Sequence, residues 1–394
     1  MNTIVAHQPL PYTGKHTKLA KNASDSEGDM AKIITFFNHK GGVGKTTLVH
    51  NLGFILADKG CRVLLIDADP QMNLTAAMYG LSTSVEYSTD EDSKWSQNVE
   101  KYISLSEYIN AELKNQPSTK EIYRATSKCS GGSFIDLISG SINLANIEAD
   151  LYGIIKNKNE FTNEIPHKFE QALKKHKENY DFILIDTSPS ASSIINALIM
   201  MTTDYFITPV SPAFFSLQAI DNLSAIFNNW IKLLGEYQTT QSFKGLSFKP
   251  KFLGLVVQMA KRFNGGIVQE TTKFSKSAEK WIEDVNNSVK KFQQFAMQRG
   301  MSISAEEFES YFGNDPGPFV IQKCCDFTPQ LRSIAEKAGV PVVYLTQDIC
   351  NKYKDSGQNV DITKEDGQYT RSFVSISKSY YKIADGLMKL AGCR

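Results

Sequence analysis

Residues 32–51 read KIITFFNHKGGVGKTTLVHN, and the rhythm of their apolar residues changes where the glycines begin. Ile33, Ile34, Phe36 and Phe37 make a short β-branched and aromatic run, which predicts a strand covered on both faces. Gly41, Gly42 and Gly44 then predict a tight backbone turn. From Thr46 to Lys59, Leu48, Leu52, Ile55 and Leu56 repeat on one helical face, and Gly60 ends the helix. Strand, glycine turn and helix in that order build a cradle for phosphate. The turn's amides point inward and the helix dipole attracts an anion. Lys45 supplies a point charge for β- and γ-phosphates, and the Thr46 hydroxyl suits Mg²⁺.

The string departs from the pattern GxxxxGK[ST] at its first position, which is His39, and adds a cation, Lys40, directly before the glycines. A glycine pair alone fits a plain turn, and a lone lysine is usually solvated. Set between a strand and a helix, the whole string favours nucleotide chemistry. KGGVGKTT, residues 40–47, resembles the deviant Walker A motif of the ParA/MinD family of P-loop ATPases, and matches further along favour the ParA branch. The resemblance implies that Gly41, Gly42, Val43, Gly44, Lys45, Thr46 and Thr47 hold ATP, and that two chains sandwich the nucleotides. It also implies that Lys40 reaches the partner's phosphates while Lys45 serves its own.

Acids follow at the ends of predicted strands. Arg62–Ile66 reads as a core strand beside the P-loop strand and runs into DADPQMN, residues 67–73. By spacing alone, Asp67 and Asp69 fit a helix N-cap with a solvated neighbour as well as a catalytic pair. DADPQMN resembles the family's DxDPQxN, which implies that Asp69 positions the attacking water and Asp67 supports Mg²⁺ and its waters. In YDFILIDTSPS, residues 180–190, Phe182–Ile185 is a buried strand and Asp186 has the form of a Walker B acid, or of a cap for the next helix. DTSPS resembles the family's D[TC]xP[ST], with Pro189 and Ser190 shaping a loop that senses the γ-phosphate. FIDLISGSINLANIEADLYG, residues 134–153, is similar to the family's strand, turn and L…E..L helix. Two later strands, in Asp204–Pro212 and Phe252–Val257, flank a long amphipathic helix, Phe214–Leu234. The resemblance implies that loops after them flank adenine, with Pro212, Gln258 and Met259 as base contacts. Nothing resembles the NKxD guanine reader, which favours ATP over GTP.

Composition sets the bounds. With 394 residues and 41% hydrophobic content the chain can bury a large core. Its formal net charge of +1 excludes binding of nucleic acid or membrane by overall charge, so any such surface is local. Cysteines at 61, 129, 324, 325, 350 and 393 lack zinc or iron–sulfur spacing, which points to a reducing cytosol. No run of 18 apolar residues occurs, and the N-terminus has no signal pattern. Residues 1–30 read as a flexible tail too short for a helix-turn-helix unit. Residues 82–100 are acidic and without helical or strand rhythm, hence a surface insertion. Thr271–Arg299 is helical in pattern, and Lys261–Arg299 holds eight cations against four acids. That excess fits a solvated helix face or a DNA-backbone surface, with Lys273, Lys276, Lys290 and Lys291 as its candidates. Phe327–Ala338, Val340–Leu345 and Val374–Leu390 predict a helix, a strand and a closing helix that packs rather than targets a membrane.

The expectation is one doubly wound α/β domain with a mostly parallel sheet over residues 31–394, carrying insertions near 82–130 and 259–330. The resemblance implies a Mg²⁺-dependent ATPase, cytoplasmic and nucleoid-associated, that forms an ATP-bound homodimer and binds DNA without sequence preference. It implies work in plasmid, chromosome or cargo partition with a ParB-like partner that stimulates hydrolysis. Two other readings stay open: a Min-type positioning ATPase on membranes, and a regulatory DNA-binding protein that uses ATP as a conformational ligand.

Overall fold

A computed structural model describes residues 30–80, 89–116, 118–126, 133–156, 165–212, 214–235, 248–260, 276–315, 317–365 and 367–393. The apolar runs become strands β1 (Lys32–Phe36), β2 (Arg62–Ala68), β3 (Tyr123–Thr126), β4 (Phe134–Ile138), β5 (Phe182–Thr187), β6 (Tyr205–Val210), β7 (Lys251–Ala260) and β8 (Val320–Cys325). They form one sheet in the order β3-β4-β2-β5-β1-β6-β7-β8. Every pairing is parallel except that of the edge strand β3 with β4. The helices are α1 (Lys45–Asp58), α2 (Asn73–Met78), α3 (Thr89–Lys101), α4 (Leu105–Leu113), α5 (Leu144–Lys156), α6 (Ile165–Lys174) and α7 (Ile194–Thr202). They continue as α8 (Phe214–Gly235), α9 (Lys276–Gln298), α10 (Ala305–Phe312), α11 (Pro329–Ala338), α12 (Gln347–Tyr353) and α13 (Gln368–Ala391).

Parallel strands need helical crossovers, and those crossovers cover the sheet. Every residue of β5, and all but the first of β1, is buried. Helix α1 packs against β2, β4 and β5 beside α13, which lies on β8, while α7 packs on β1 and α9 on β7. Gly53 permits the close approach of α1: a Cβ there would stand 2.9 Å from a Leu65 methyl. Aromatic rings fill the wider half of the core, where Phe206, Phe227, Phe252 and Phe292 pack with centroids 5.0–6.1 Å apart.

Several expectations change. Residues 89–101 are helical rather than irregular, because Trp95 packs its ring 5.9 Å from that of Tyr79 and anchors an otherwise polar helix. The P-loop strand β1 and the acid-bearing β2 are not adjacent, since β5 pairs with both. Val340–Leu345 is not a strand: Pro341 precedes a 3-10 turn, Val342–Tyr344, that docks on α1. There the Val343 amide donates to Asn51 Oδ1 at 3.2 Å and the Tyr344 hydroxyl to the Phe54 carbonyl at 3.1 Å. The sheet's last place is taken by β8, inside the stretch expected as an insertion. Pairing of Val257 with Lys323 and of Ala260 with Cys325 also keeps Gln258 and Met259 on β7 rather than in a loop. The tail 1–29 and residues 82–88 and 261–275 lie outside the described residues. Among the described residues no helix is long and apolar enough to cross a membrane.

Candidate nucleotide site

The glycine turn leaves β1 at its carboxyl end and enters α1 through Gly44. Gly42 and Gly44 hold φ of 70° and 82°, a left-handed backbone that side chains rarely adopt. Helix α1 has no side-chain cap on its first amides and no acidic residue in its first turn. Its positive dipole end and unsatisfied N–H groups are therefore free for an anion. Asn38 braces the loop: its Nδ2 donates to the Pro209 carbonyl at 2.8 Å, and its Oδ1 accepts from the Lys40 amide at 2.9 Å.

Lys45 is buried, and its ammonium donates to the carbonyls of Asn38, at 3.2 Å, and Lys40, at 3.5 Å. Burial lowers its pKa, and the charges of Asp186 and Asp69 oppose that fall. His39, at the variant position, also has a lowered pKa, from burial and then from the Lys45 charge, so a neutral imidazole faces the cation. Lys40 turns inward in the single chain: its ammonium donates to the Ser216 hydroxyl at 3.0 Å. Ser216 is fully buried, with Ser211 Oγ 3.3 Å from its own Oγ. Only the tertiary fold supplies this hydroxyl.

Parallel pairing sets Asp67 level with Asp186, and Phe36 level with Asp186, so the carboxyl ends of β1, β2 and β5 meet. Asp67 is spent on structure: Oδ2 accepts from the Thr75 amide at 2.9 Å and hydroxyl at 2.7 Å, and Oδ1 from the Asp69 amide at 3.1 Å. Burial raises its pKa to about 6 against those bonds. Gly140 closes over it: a Cβ there would lie 3.0 Å from the Asp67 carboxylate and 3.1 Å from the Asp69 carbonyl. Asp69 is nearly buried, and its Oδ1 accepts from the Gln71 amide at 2.9 Å. Asp186 differs. Both its oxygens are buried without a hydrogen bond of ordinary geometry. Burial, then the Asp67 charge, pushes its pKa up to about 8, while Thr46 and Lys45 pull against this.

An orphaned buried carboxylate beside the Thr46 hydroxyl, at the mouth of an anion cradle, is the donor set a Mg²⁺ ion takes when phosphate oxygens and water complete its shell. Among the described residues no three His, Cys, Asp or Glu side chains could hold a metal on their own. The residues thus fit Mg²⁺ arriving with a nucleotide, which Thr46 and Asp186 would hold, with Asp67 close by on the neighbouring strand.

The remaining candidates separate. The DTSPS loop is fixed by Asn196 Nδ2, which donates to the carbonyls of Ser188 and Ser190, each at 3.0 Å. Gln258 lies under the turn, its side chain 3.4–3.6 Å from where a Gly44 Cβ would stand, and its Oε1 accepts from the Tyr380 hydroxyl at 3.0 Å. Pro212 and Met259 are half-buried at the ends of β6 and β7, and Met259 has φ 58°. Lys290 and Lys291 are exposed on α9 together with Glu283 and Asp284, while Lys273, with Lys261 and Arg262, lies outside the described residues, as does the side chain of Lys276. Sequence reasoning missed Asn38, Thr75, Gly140, Ser216 and Tyr380. Asn38 alone carried a signal, as the polar residue between a strand and the glycine string.

A profile of the AAA domain family matches residues 31–238. The Bacillus subtilis sporulation initiation inhibitor protein Soj is 32% identical over 54% of this chain and 69% of its own length. The probable plasmid-partitioning protein ParA of Thermus thermophilus is 30% identical over 49% of each chain. The chain spans 49–69% of the lengths of the first curated relatives it matches. The solved structure of pNOB8 ParA superposes with a TM-score of 0.54 at 19% identity, covering 91% of this chain and 99% of that one, which is a likeness of fold.

Proposed function

Because the chain belongs to the ParA/MinD family of P-loop ATPases, we propose that it hydrolyses ATP with Mg²⁺ and works as a partition ATPase. The observation that carries this reading is the pairing of an uncapped α1 N-terminus with the orphaned Asp186 carboxylate beside Thr46. The amides from Gly41 to Thr47 hold the phosphates, and Lys45 leaves its two carbonyl partners for their charge. Thr46 and Asp186 would hold Mg²⁺, which would supply positive charge to the phosphates when bound. Asp69 orients the attacking water, and Asp67, fixed by Thr75, keeps Asp69 in place through the Asp69 amide. Gln258, Met259 and Pro212 border the base.

Lys40 leaves Ser216 and meets a partner chain's phosphates, so ATP closes a homodimer. The dimer then binds DNA through backbone phosphates without sequence preference, and a ParB-like protein stimulates turnover. Its place is the cytoplasm, on the nucleoid. Phosphate release from ATP, with and without Mg²⁺, alongside calorimetry of the Lys45→Ala variant, tests the core of this reading. The parent should turn over ATP only with Mg²⁺, and Lys45→Ala should bind no nucleotide; unchanged ATP affinity in that variant removes the reading.

A further inference from the structure

Helix α13 is 24 residues long, and its two sides are sharply unlike. Inward lie Ile376, Tyr380, Ile383 and Leu387, all fully buried. Beyond its first residue, Gln368, the exposed positions are Arg371, Lys378, Lys382, Asp385 and Lys389. At about 100° per residue these five fall within an arc of roughly 60°, and at about 1.5 Å per residue they run along ~27 Å of one line. The acid among them, Asp385, is held by Lys59 at 2.7 Å, so that contact adds a cation for the acid it uses. No ion pair engages Lys378, Lys382 or Lys389 among the described residues.

We propose that the outward face of α13 binds the phosphate backbone of duplex DNA. The inference rests on the DNA-binding reading above and names a surface for it that differs from α9. The chain's formal net charge is only +1, so an unpaired row of lysines is local clustering rather than the overflow of a basic protein. On α9 the exposed Lys280, Lys290 and Lys291 share their helix with exposed Glu283 and Asp284, which weakens that field relative to four exposed cations against one acid on α13. A lipid surface suits α13 poorly, because its apolar side is already consumed by the core and nothing is left to insert. A straight row of ammonium groups lies well along a duplex, spanning about eight base pairs at ~3.4 Å each, and contacts of this kind carry no sequence information. The same helix touches the nucleotide cradle from within, where the Tyr380 hydroxyl donates to Gln258 beneath Gly44.

The test is a salt titration of full-length chain with Mg²⁺ and ATP on a random duplex of about 20 base pairs, read by fluorescence anisotropy. A variant carrying Lys378→Ala, Lys382→Ala and Lys389→Ala should lose about 2.7 from the slope of log K against log salt, near 0.9 per lost contact, and bind roughly 10²-fold more weakly near 0.1 M salt. Lys382→Ala alone should lose about 0.9. All three positions are exposed, so unfolding temperature and ATP affinity should match the parent and certify the fold. Lys290→Ala with Lys291→Ala should leave the slope in place. If the parent binds the duplex and the triple variant keeps its affinity and slope, or the α9 pair carries the whole loss, the α13 surface is overturned while DNA binding stands. If the parent binds no duplex, or binds only phosphatidylserine vesicles, the DNA-binding reading itself fails.

Discussion

Replacing Asp186 with asparagine should stabilise the nucleotide-free protein, the reverse of what removal of a buried side chain normally does. Both oxygens of Asp186 are buried without a hydrogen bond of ordinary geometry, and burial with the Asp67 charge raises its pKa to about 8. A carboxyl whose pKa in the fold exceeds its ordinary 3.8 keeps a proton that the unfolded chain has released. Its contribution to stability is therefore complete below about pH 4 and is lost as pH climbs through about 8. At about 1.36 kcal/mol per pH unit, the displacement from 3.8 to about 8 corresponds to several kcal/mol in a rigid site. Relaxation and entering water cut that to about 2–3 kcal/mol. With unfolding entropy near 2.1 cal/mol/K per residue over 394 residues, each kcal/mol moves Tm by about 1.2 °C. Asp186→Asn should raise Tm by about 2–4 °C at about pH 8 in EDTA, with the gap narrowing toward about pH 5. Scanning calorimetry across that range is the assay. Added Mg²⁺ and ATP should reverse the order, because binding stabilises the parent and not the variant. A variant that melts below the parent at about pH 8 without metal, or by the same margin at every pH, would refute the account of Asp186 as an uncompensated carboxylate.

Gly140→Ala places a Cβ 3.0 Å from the Asp67 carboxylate, so Asp67 must move. Turnover should fall roughly 10-fold while ATP affinity, measured by calorimetry, stays within about 2-fold. Asp69→Ala should bind ATP and hydrolyse it ~10²-fold more slowly, and turnover at the parent rate would pass the water-orienting role to another group. Lys40→Ala should retain ATP binding yet lose the ATP-dependent dimer in light scattering, since its Ser216 contact within the chain does not hold nucleotide. A dimer that survives the change would end the trans role.

The stretch 32–51 determined by itself the strand, glycine turn and helix that the structure shows, because strand period, glycine turn and helix period are local and follow from a few consecutive residues. The strand-terminal acids Asp67 and Asp186 were legible for the same reason, and so was the doubly wound class. Which strands touch is a long-range matter, and no local pattern placed β5 between β1 and β2. The helix at 89–101 depends on a single ring, Trp95, finding Tyr79, and the fate of 340–345 on Pro341 and on docking to Asn51 and Phe54 of α1. The surroundings of the acids parted only in three dimensions: Thr75 and Gly140 close on Asp67, while both Asp186 oxygens are buried without a hydrogen bond of ordinary geometry among the described residues. The lysines of α13 were in plain view as letters, but a row of cations means something only when the burial of the helix's other side fixes which way they face.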